Sequence, residues 1–389
     1  MIRLVNSDHC TGCMACVDAC SKNAIEVIKK NGILFPQINH DKCVSCTSCL
    51  KVCPALNSSK NFEFSETGVF AVWSKDSSIR LNAASGGFCT QMALNTLNRG
   101  GYAVITLMRD NRCEYVLTNE KELILKGTNS KYIQANPAGI YKAVRSKLKE
   151  GFEVLFVGLP CHVSALYKFL KKEYPQLITI ELVCSAAPSS DALVSQLSVT
   201  RADELLQFRK KIPGGMWGGE DHNLVLSSNK LPMLLKQTDN SQIYYNVFAS
   251  CLTARKSCLD CKFARLSRQA DFTVGDFHGY RCAESEQGVS LVITRNKKYS
   301  DFLQSQITLD LIQSDWIAAI NSNPRLYNGW DCLKYHPVIV FRKFFRLSKL
   351  WNKLIVNKQP YRSVWLLFKL WTKIVIVLKK KYYLKMSKK

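Results

Sequence analysis

The stretch Cys10-Thr11-Gly12-Cys13-Met14-Ala15-Cys16-Val17-Asp18-Ala19-Cys20 returns 33 residues later as Cys43-Val44-Ser45-Cys46-Thr47-Ser48-Cys49-Leu50-Lys51-Val52-Cys53. Both copies space their cysteines as C-x2-C-x2-C-x3-C. Thiolates two residues apart in a turn can converge on one soft metal core, and a cubane offers four iron corners for four sulfurs. A zinc site wants two Cys-x2-Cys pairs, not runs of three close thiols plus a fourth. The opening Met1-Ile2-Arg3-Leu4-Val5 lacks the pattern of a secretory signal, so the thiols are expected to stay reduced in the cytoplasm rather than form disulfides. A segment of about fifty residues rarely holds a core without such staples.

The two runs resemble the dicluster ferredoxins of bacteria, in which the fourth cysteine of each run ligates the other cluster. The expected ligand sets are therefore Cys10, Cys13, Cys16 and Cys53 for one 4Fe-4S cluster, and Cys43, Cys46, Cys49 and Cys20 for the other. One departure is visible. Pro54 follows the second run, but Ser21 follows the first, which leaves every sulfur in place.

A chain of 389 residues with 47% hydrophobic content has room for this module and one or two further domains. The net charge of +24 is unevenly placed. Residues 332–389 carry sixteen Lys and Arg and no acid, which leaves 38 bases against 30 acids, or +8, on the rest. The basic excess is thus mostly a property of the tail.

Beyond a polar linker, 69–73 reads as a strand, 90–99 as a helix ending at Gly100-Gly101, and 102–109 with 113–118 as a hairpin turned at Asp110-Asn111. A helix at 140–149 precedes strand 153–157, helix 162–172 and strand 177–183, the pattern of two parallel strands joined by a crossover. The loops leaving both strands then share one sheet edge, where open α/β sheets bind ligands. That edge gathers Cys161 and Cys184. Further helices are expected at 191–198, 242–250 and 299–306, strands at 271–274 and 289–294, and a flexible turn at 214–219.

Cys161, Cys184, Cys258 and Cys261 form a second constellation, with a third 4Fe-4S cluster as the expected occupant. A Cys-x2-Cys pair equally suits zinc or a redox dithiol. Buried cysteine is also a common apolar filler, the role expected of Cys89, Cys113, Cys251, Cys282 and Cys332.

Six motifs occur in order: Ser85-Gly86-Gly87-Phe88, Ser130-Lys131-Tyr132-Ile133-Gln134, Leu155-Phe156-Val157-Gly158-Leu159-Pro160-Cys161, Glu181-Leu182-Val183-Cys184, Cys258-x2-Cys261-Lys262-Phe263-Ala264 and Gly275-Asp276-Phe277-His278-Gly279. Together they resemble the coenzyme F420 hydrogenase/dehydrogenase beta-subunit family. The resemblance divides the chain into a dicluster ferredoxin domain (1–56), a linker (57–68), N-terminal (69–128) and C-terminal (129–331) parts of the beta-subunit domain, and a basic amphipathic tail (332–389). The expected fold is α+β followed by α/β: a small ferredoxin module, a mixed α/β flavin-binding body and a basic helical tail.

The same resemblance implies FAD beside a cluster held by the four scattered cysteines. Ser85, Gly86, Gly87, Lys131, Tyr132, Gln134, Gly275, Asp276 and Phe277 are the implied flavin contacts. Glycines let backbone N–H groups approach a ring or phosphate, and a lysine near the ring stabilises its reduced anion. By themselves, Ser85-Gly86-Gly87 also reads as an ordinary helix-start turn and Lys131 as a solvated loop charge. Three departures adjoin these loops: His162 where the family often has Gln, Ser185-Ala186 where His-Gly is common, and His278 where Trp is usual. His162, His278 and Lys131 are the catalytic candidates.

In the tail, aromatic and aliphatic residues alternate with Lys and Arg, without eighteen apolar residues in a row. Residues 340–389 suit the inner face of an anionic membrane, or docking on the protein's own body or on a partner. No recognition motif accompanies the charge, so nucleic acid is not expected.

The function implied is an FAD-dependent iron–sulfur oxidoreductase. Electrons would pass between a redox protein, the clusters, a flavin and an organic acceptor, with a link to bacterial polysaccharide synthesis. An electron-transfer subunit with no substrate site of its own is the alternative; a membrane-associated scaffold of polysaccharide assembly with structural clusters is a third.

Overall fold

The computed structural model describes residues 2–57, 67–212, 223–236, 239, 241–242, 244–249, 251, 253–259, 261–278 and 287–326. Linker positions 58–66, the turn at 214–219, Cys282, Cys332 and the basic tail lie outside them.

Each cysteine run bends twice through left-handed backbone, at Gly12 (φ 72°) and Met14 (φ 56°), and at Ser45 (φ 54°) and Thr47 (φ 62°). These are equivalent places in the two copies. Such bends turn successive N–H groups toward a common centre, a geometry recurrent at Fe–S sites. A short helix follows each run, α1 (Ala15–Ala19) and α2 (Ser48–Lys51). Between them β1 (Ile25–Lys30) pairs antiparallel with β2 (Ile33–Ile38). Their turn is Asn31-Gly32, with φ of 52° and 70°, whose twist matches that of the flanking strands.

The body begins with β3 (Val69–Ser74), α3 (Ser77–Asn82) and α4 (Phe88–Asn98). The hairpin β4 (Tyr102–Arg109) and β5 (Arg112–Thr118) turns at Asp110 and Asn111, both left-handed. Then come α5 (Lys121–Lys126), β6 (Ala135–Asn136), α6 (Ile140–Lys149), β7 (Val154–Gly158), α7 (Pro160–Leu170), β8 (Leu177–Leu182) and α8 (Asp191–Thr200). A separate three-stranded sheet holds β9 (Glu204–Gln207), β10 (Leu224–Ser228) and β11 (Leu231–Leu235). Finally β12 (Phe272–Asp276), β13 (Ser290–Thr294) and β14 (Leu309–Gln313) rejoin the main sheet. Among the described residues that sheet has nine strands in the order β14-β3-β13-β12-β8-β7-β4-β5-β6.

Strands β4, β7, β8 and β12 run parallel as neighbours, so their carboxyl ends share one edge. Alternate residues face opposite layers, as the pleat requires. Ala103, Ile105 and Leu155 join the layer containing α4, whereas Val104, Val154 and Phe156 join that of α6 and α7. Cys13, Ala15 and Val52 belong to this second layer. The ferredoxin module therefore shares its core with the body.

Most boundaries shift by one or two residues from the sequence reading, and two of the shifts bear on the site. Helix α7 begins at Pro160, where a fixed φ and a missing N–H suit a first turn, so Cys161 is helical rather than in the exit loop. Strand β12 continues through Gly275 and Asp276 because they pair with Leu291 and Ser290 of β13.

Asp18 locks the module to the body. Its carboxylate accepts the N–H groups of Gly139 (2.5 Å), Tyr141 (2.9 Å) and Lys142 (3.3 Å) at the start of α6. Tyr141 in turn donates to the Cys13 carbonyl at 2.8 Å. A carboxylate there also favours the helix dipole. Asp18→Ala orphans the buried Tyr141 donor along with its two more exposed neighbours, and a loss of about 1–3 kcal/mol is expected. A lower thermal midpoint should show it, with release of residues 2–57 to limited proteolysis; unchanged melting would contradict the locking role.

Candidate iron–sulfur and cofactor site

Burial pushes the thiols of Cys10, Cys13 and Cys16 upward, Cys13 to about 12, and repulsion from Cys53 adds to each. Cys53 thus stands with the first run, not with its own. Conversely, Cys49 is pushed up by burial and then by Cys46 and Cys20. A small cleft open to solvent is lined by Cys20, Cys43, Cys46 and Cys49. Ile2, Ala24, Ile25 and Ile38 give it an apolar floor. Cys46 is exposed at its mouth. The described cysteines are free thiols. Crowded, buried thiols resist ionisation on their own, and a soft metal core relieves this by taking them as thiolates. Among the described residues no three His, Cys, Asp or Glu side chains converge as on a single metal ion. Cubane ligands bind separate iron corners and stand wider apart. The donor set fits 4Fe-4S clusters.

Four more thiols meet at the sheet edge. Cys161 is pushed well up by burial and then by Cys261, Cys184, Cys13 and Cys258, in that order. Cys184 is raised by burial, Cys258 and Cys261. Cys258 is held by the Ala187 N–H at 3.4 Å. Cys13 is a member of the ferredoxin set, and the segment leading into Cys258 touches that set directly, with Arg255 and Ser257 donating to the Cys10 carbonyl. Cys113 and Cys251 are buried, as expected of filler, and Cys89 is partly buried.

The implied flavin contacts fall into two neighbourhoods. The Ser85 hydroxyl meets that of Ser290 at 2.8 Å, and Gly86 N–H donates to Ser290 Oγ at 3.0 Å. A side chain at Gly86 would run into the Val72 carbonyl, and Gly87 (φ 86°) caps α4. Lys211, buried, donates to the carbonyls of Arg80 and Ser85 at 2.6 Å each. Arg209, 2% exposed, pairs with Asp276 at 2.6 Å. Asn129 bridges the carbonyls of Asn82 and Arg209, and its buried Oδ1 has no partner among the described residues. Lys211 thus sits on the Ser85–Gly87 turn, and Arg209 and Asn129 link Asp276 to the Asn82 end of α3.

The other contacts point elsewhere. Lys131 Nζ donates into its own loop, to the carbonyls of Gly127, Thr128 and Asn129. Burial lowers its pKa to about 8. Tyr132 stacks against Phe248 at 4.3 Å and accepts from Tyr244 at its carbonyl. Gln134 accepts the Leu34 N–H of the ferredoxin hairpin at 2.9 Å. His162 is buried and meets Tyr115 OH at 2.8 Å through Nδ1. Burial, then Arg255, lowers its pKa to about 3, so it is a neutral imidazole at neutral pH. His278 is 41% exposed and lies 3.4 Å from Asp276.

Sequence reasoning missed Arg80, Arg209, Lys211 and Arg255. Isolated basic residues look alike in a sequence; only folding shows which are buried. Arg255, three positions before Cys258, carried a weak signal.

The fold and its thiol clusters define an iron–sulfur protein in which a ferredoxin module is fused to a mixed α/β body. Family comparison agrees. Residues 9–57 match the 4Fe-4S dicluster domain, residues 69–139 the coenzyme F420 hydrogenase/dehydrogenase beta subunit N-terminal model, and residues 152–317 its C-terminal model. The chain belongs to the coenzyme F420 hydrogenase/dehydrogenase beta-subunit family. An uncharacterized protein of Methanocaldococcus jannaschii is 25% identical over 236 residues, which span 58% of this chain and 60% of that protein. Among solved structures, the xenon-derivatised F420-reducing NiFe hydrogenase complex from Methanosarcina barkeri aligns with a TM-score of 0.45 and 16% identity, over 68% of this chain and 91% of that one. No helix among the described residues is long and apolar enough to cross a membrane.

Proposed function

We propose that this chain is an iron–sulfur flavoprotein oxidoreductase that carries electrons from a partner redox protein to an organic acceptor. The observation that carries it is the contact of the Cys258 segment with the first cysteine run, where Ser257 Oγ and Arg255 Nη1 donate to the Cys10 carbonyl at 2.7 and 3.1 Å. Through it, three thiol constellations form one series: Cys20, Cys43, Cys46 and Cys49 at the surface, Cys10, Cys13, Cys16 and Cys53 inside, and Cys161, Cys184, Cys258 and Cys261 at the sheet edge. The exposed Cys46 marks the end facing a redox partner.

Buried Lys211 on the Ser85–Gly87 turn, with buried Arg209 against Asp276, supports an anionic cofactor near these loops, and FAD is the one the family resemblance implies. A bound flavin would supply the exchange between one-electron carriers and a two-electron organic acceptor. The link to polysaccharide synthesis rests on that resemblance alone. The inward-turned Lys131 and the engagement of Gln134 with the hairpin favour the second reading, an electron-transfer subunit with no substrate site of its own.

Anaerobic purification with iron, sulfide and flavin analysis tests the assignment. About twelve irons per chain are expected, four for each of three clusters, with one flavin. Cys258→Ala should lower the iron to about eight. Eight irons in the wild type with no loss in Cys258→Ala would eliminate the third cluster. Protein with full iron that binds no flavin on reconstitution would leave the electron-carrier reading.

A further inference from the structure

We infer that Arg255 is a positioning residue for electron transfer: a permanently charged bridge that holds the inner ferredoxin cluster against the body cluster and eases reduction of both. The inference rests on the three-cluster reading above. Arg255 is fully buried, in the segment that leads into Cys258. Its Nη1 donates to the Cys10 carbonyl at 3.1 Å and its Nη2 to the Leu34 carbonyl. The guanidinium stacks 4.4 Å from the Phe35 ring centre. Its backbone is fixed as well: its N–H donates to Ala187, and its carbonyl accepts from Cys258 N–H, each at 3.0 Å. The next two residues continue the clamp. Lys256 pairs with Asp8, and Ser257 Oγ donates to the Cys10 carbonyl at 2.7 Å.

Arg255 contacts one member of each constellation, Cys10 through Nη1 and Cys258 through its own carbonyl, and thiolates at Cys10, Cys258, Cys161 and Cys13 would all favour its charged form. Its Nε has no partner among the described residues. An uncompensated buried guanidinium is costly, and anionic thiolate-ligated clusters on both sides would compensate it. Gly12 belongs to the same contact, since a Cβ there would lie 2.5 Å from Nη2. Arginine suits the place because it stays charged when buried and its planar fork fixes two carbonyls at once. With clusters bound on both sides, the transfer would be of one electron from one to the other, with no bond made and no proton moved, and the fixed cation of Arg255 would favour the more negative, reduced state of either.

The test is an EPR-monitored potentiometric titration of the intact protein with dithionite, comparing wild type, Arg255→Lys and Arg255→Met, with iron counted in each. In Arg255→Met the inner and body clusters should become harder to reduce. Their reduced-to-oxidised ratio at a given potential should fall about tenfold, which is about 59 mV for one electron. Arg255→Lys, which keeps the charge but not the fork, should shift less. The surface cluster at Cys46 should not move. Unchanged potentials in a variant that keeps its iron overturn the inference, as does an equal shift at the surface cluster. If Arg255→Met sheds iron, Arg255→Gln takes its place and is judged by the same two outcomes; loss of iron from both neutral variants with full retention in Arg255→Lys supports the charge, and loss from all three overturns it. A wild type with only eight irons removes the body cluster but leaves the claim testable on the inner one.

Discussion

Replacing Cys53 with alanine is expected to destroy the inner ferredoxin cluster and spare the surface one. The two runs look self-contained in sequence, and without crossing Cys53 would serve Cys43, Cys46 and Cys49. The structure places its thiol with Cys10, Cys13 and Cys16 instead. Cys20 lines the cleft of the other set. Iron should therefore fall from about twelve to about eight per chain in both Cys53→Ala and Cys20→Ala, one four-iron cluster in each case. The surviving clusters differ. Cys53→Ala keeps the cluster next to the exposed Cys46, which a chelator reaches quickly; Cys20→Ala keeps the buried one, which it reaches slowly. Because the inner constellation separates surface from body, Cys53→Ala should also abolish reduction of the body by a protein donor. The reverse pattern of chelator sensitivity would show that the runs are not crossed.

Much of this site is written locally. The cysteine spacing, the Asp110-Asn111 turn and the β7-α7-β8 crossover each follow from residues close in the chain, and the parallel pairing of β7 with β8 carries Cys161 and Cys184 to one edge. The Asn31-Gly32 hairpin carries a local signal too, since Asn-Gly between apolar runs is a strong turn signal, but it is not among the elements expected from the sequence. Other features have no local signature. Asp18 caps a helix that begins 122 residues later, at Ile140. Arg255 reaches back 245 residues to Cys10. Lys131 could be read as a free loop charge because nothing nearby in sequence shows that its ammonium turns onto its own carbonyls. Spacing reveals which side chains share a turn or a face, whereas the partners of a buried charge depend on how distant layers meet.

Arg268→Met is expected to cost about 3–5 kcal/mol, the usual penalty for stranding one member of a buried ion pair. Glu181 and Arg268 are 1% and 8% exposed, with Nε 3.6 Å from Oε1, under the edge that carries Cys184. Thr273, opposite Glu181 in the β8–β12 pairing, donates to the same oxygen at 3.0 Å. Methionine fills much of the arginine's volume, so the loss would come from charge rather than from a cavity. Burial raises the Glu181 pKa, and Arg268 pulls it back down. A carboxyl raised in the folded state is deprotonated first in the unfolded chain, so its contribution to stability is greatest below the unfolded value, near 4.3, and falls as pH rises through the folded value. Removing Arg268 pushes the folded value higher and makes that fall deeper. The deficit of the variant relative to wild type should therefore be large at pH 8 and smaller at pH 5.5 in denaturant unfolding measured side by side. Glu181→Leu combined with Arg268→Met should recover most of the loss, because no charge is then left buried alone. A deficit that grows on acidification, or a double variant no better than the single, would mean that the pair does not hold these two strands through its charges.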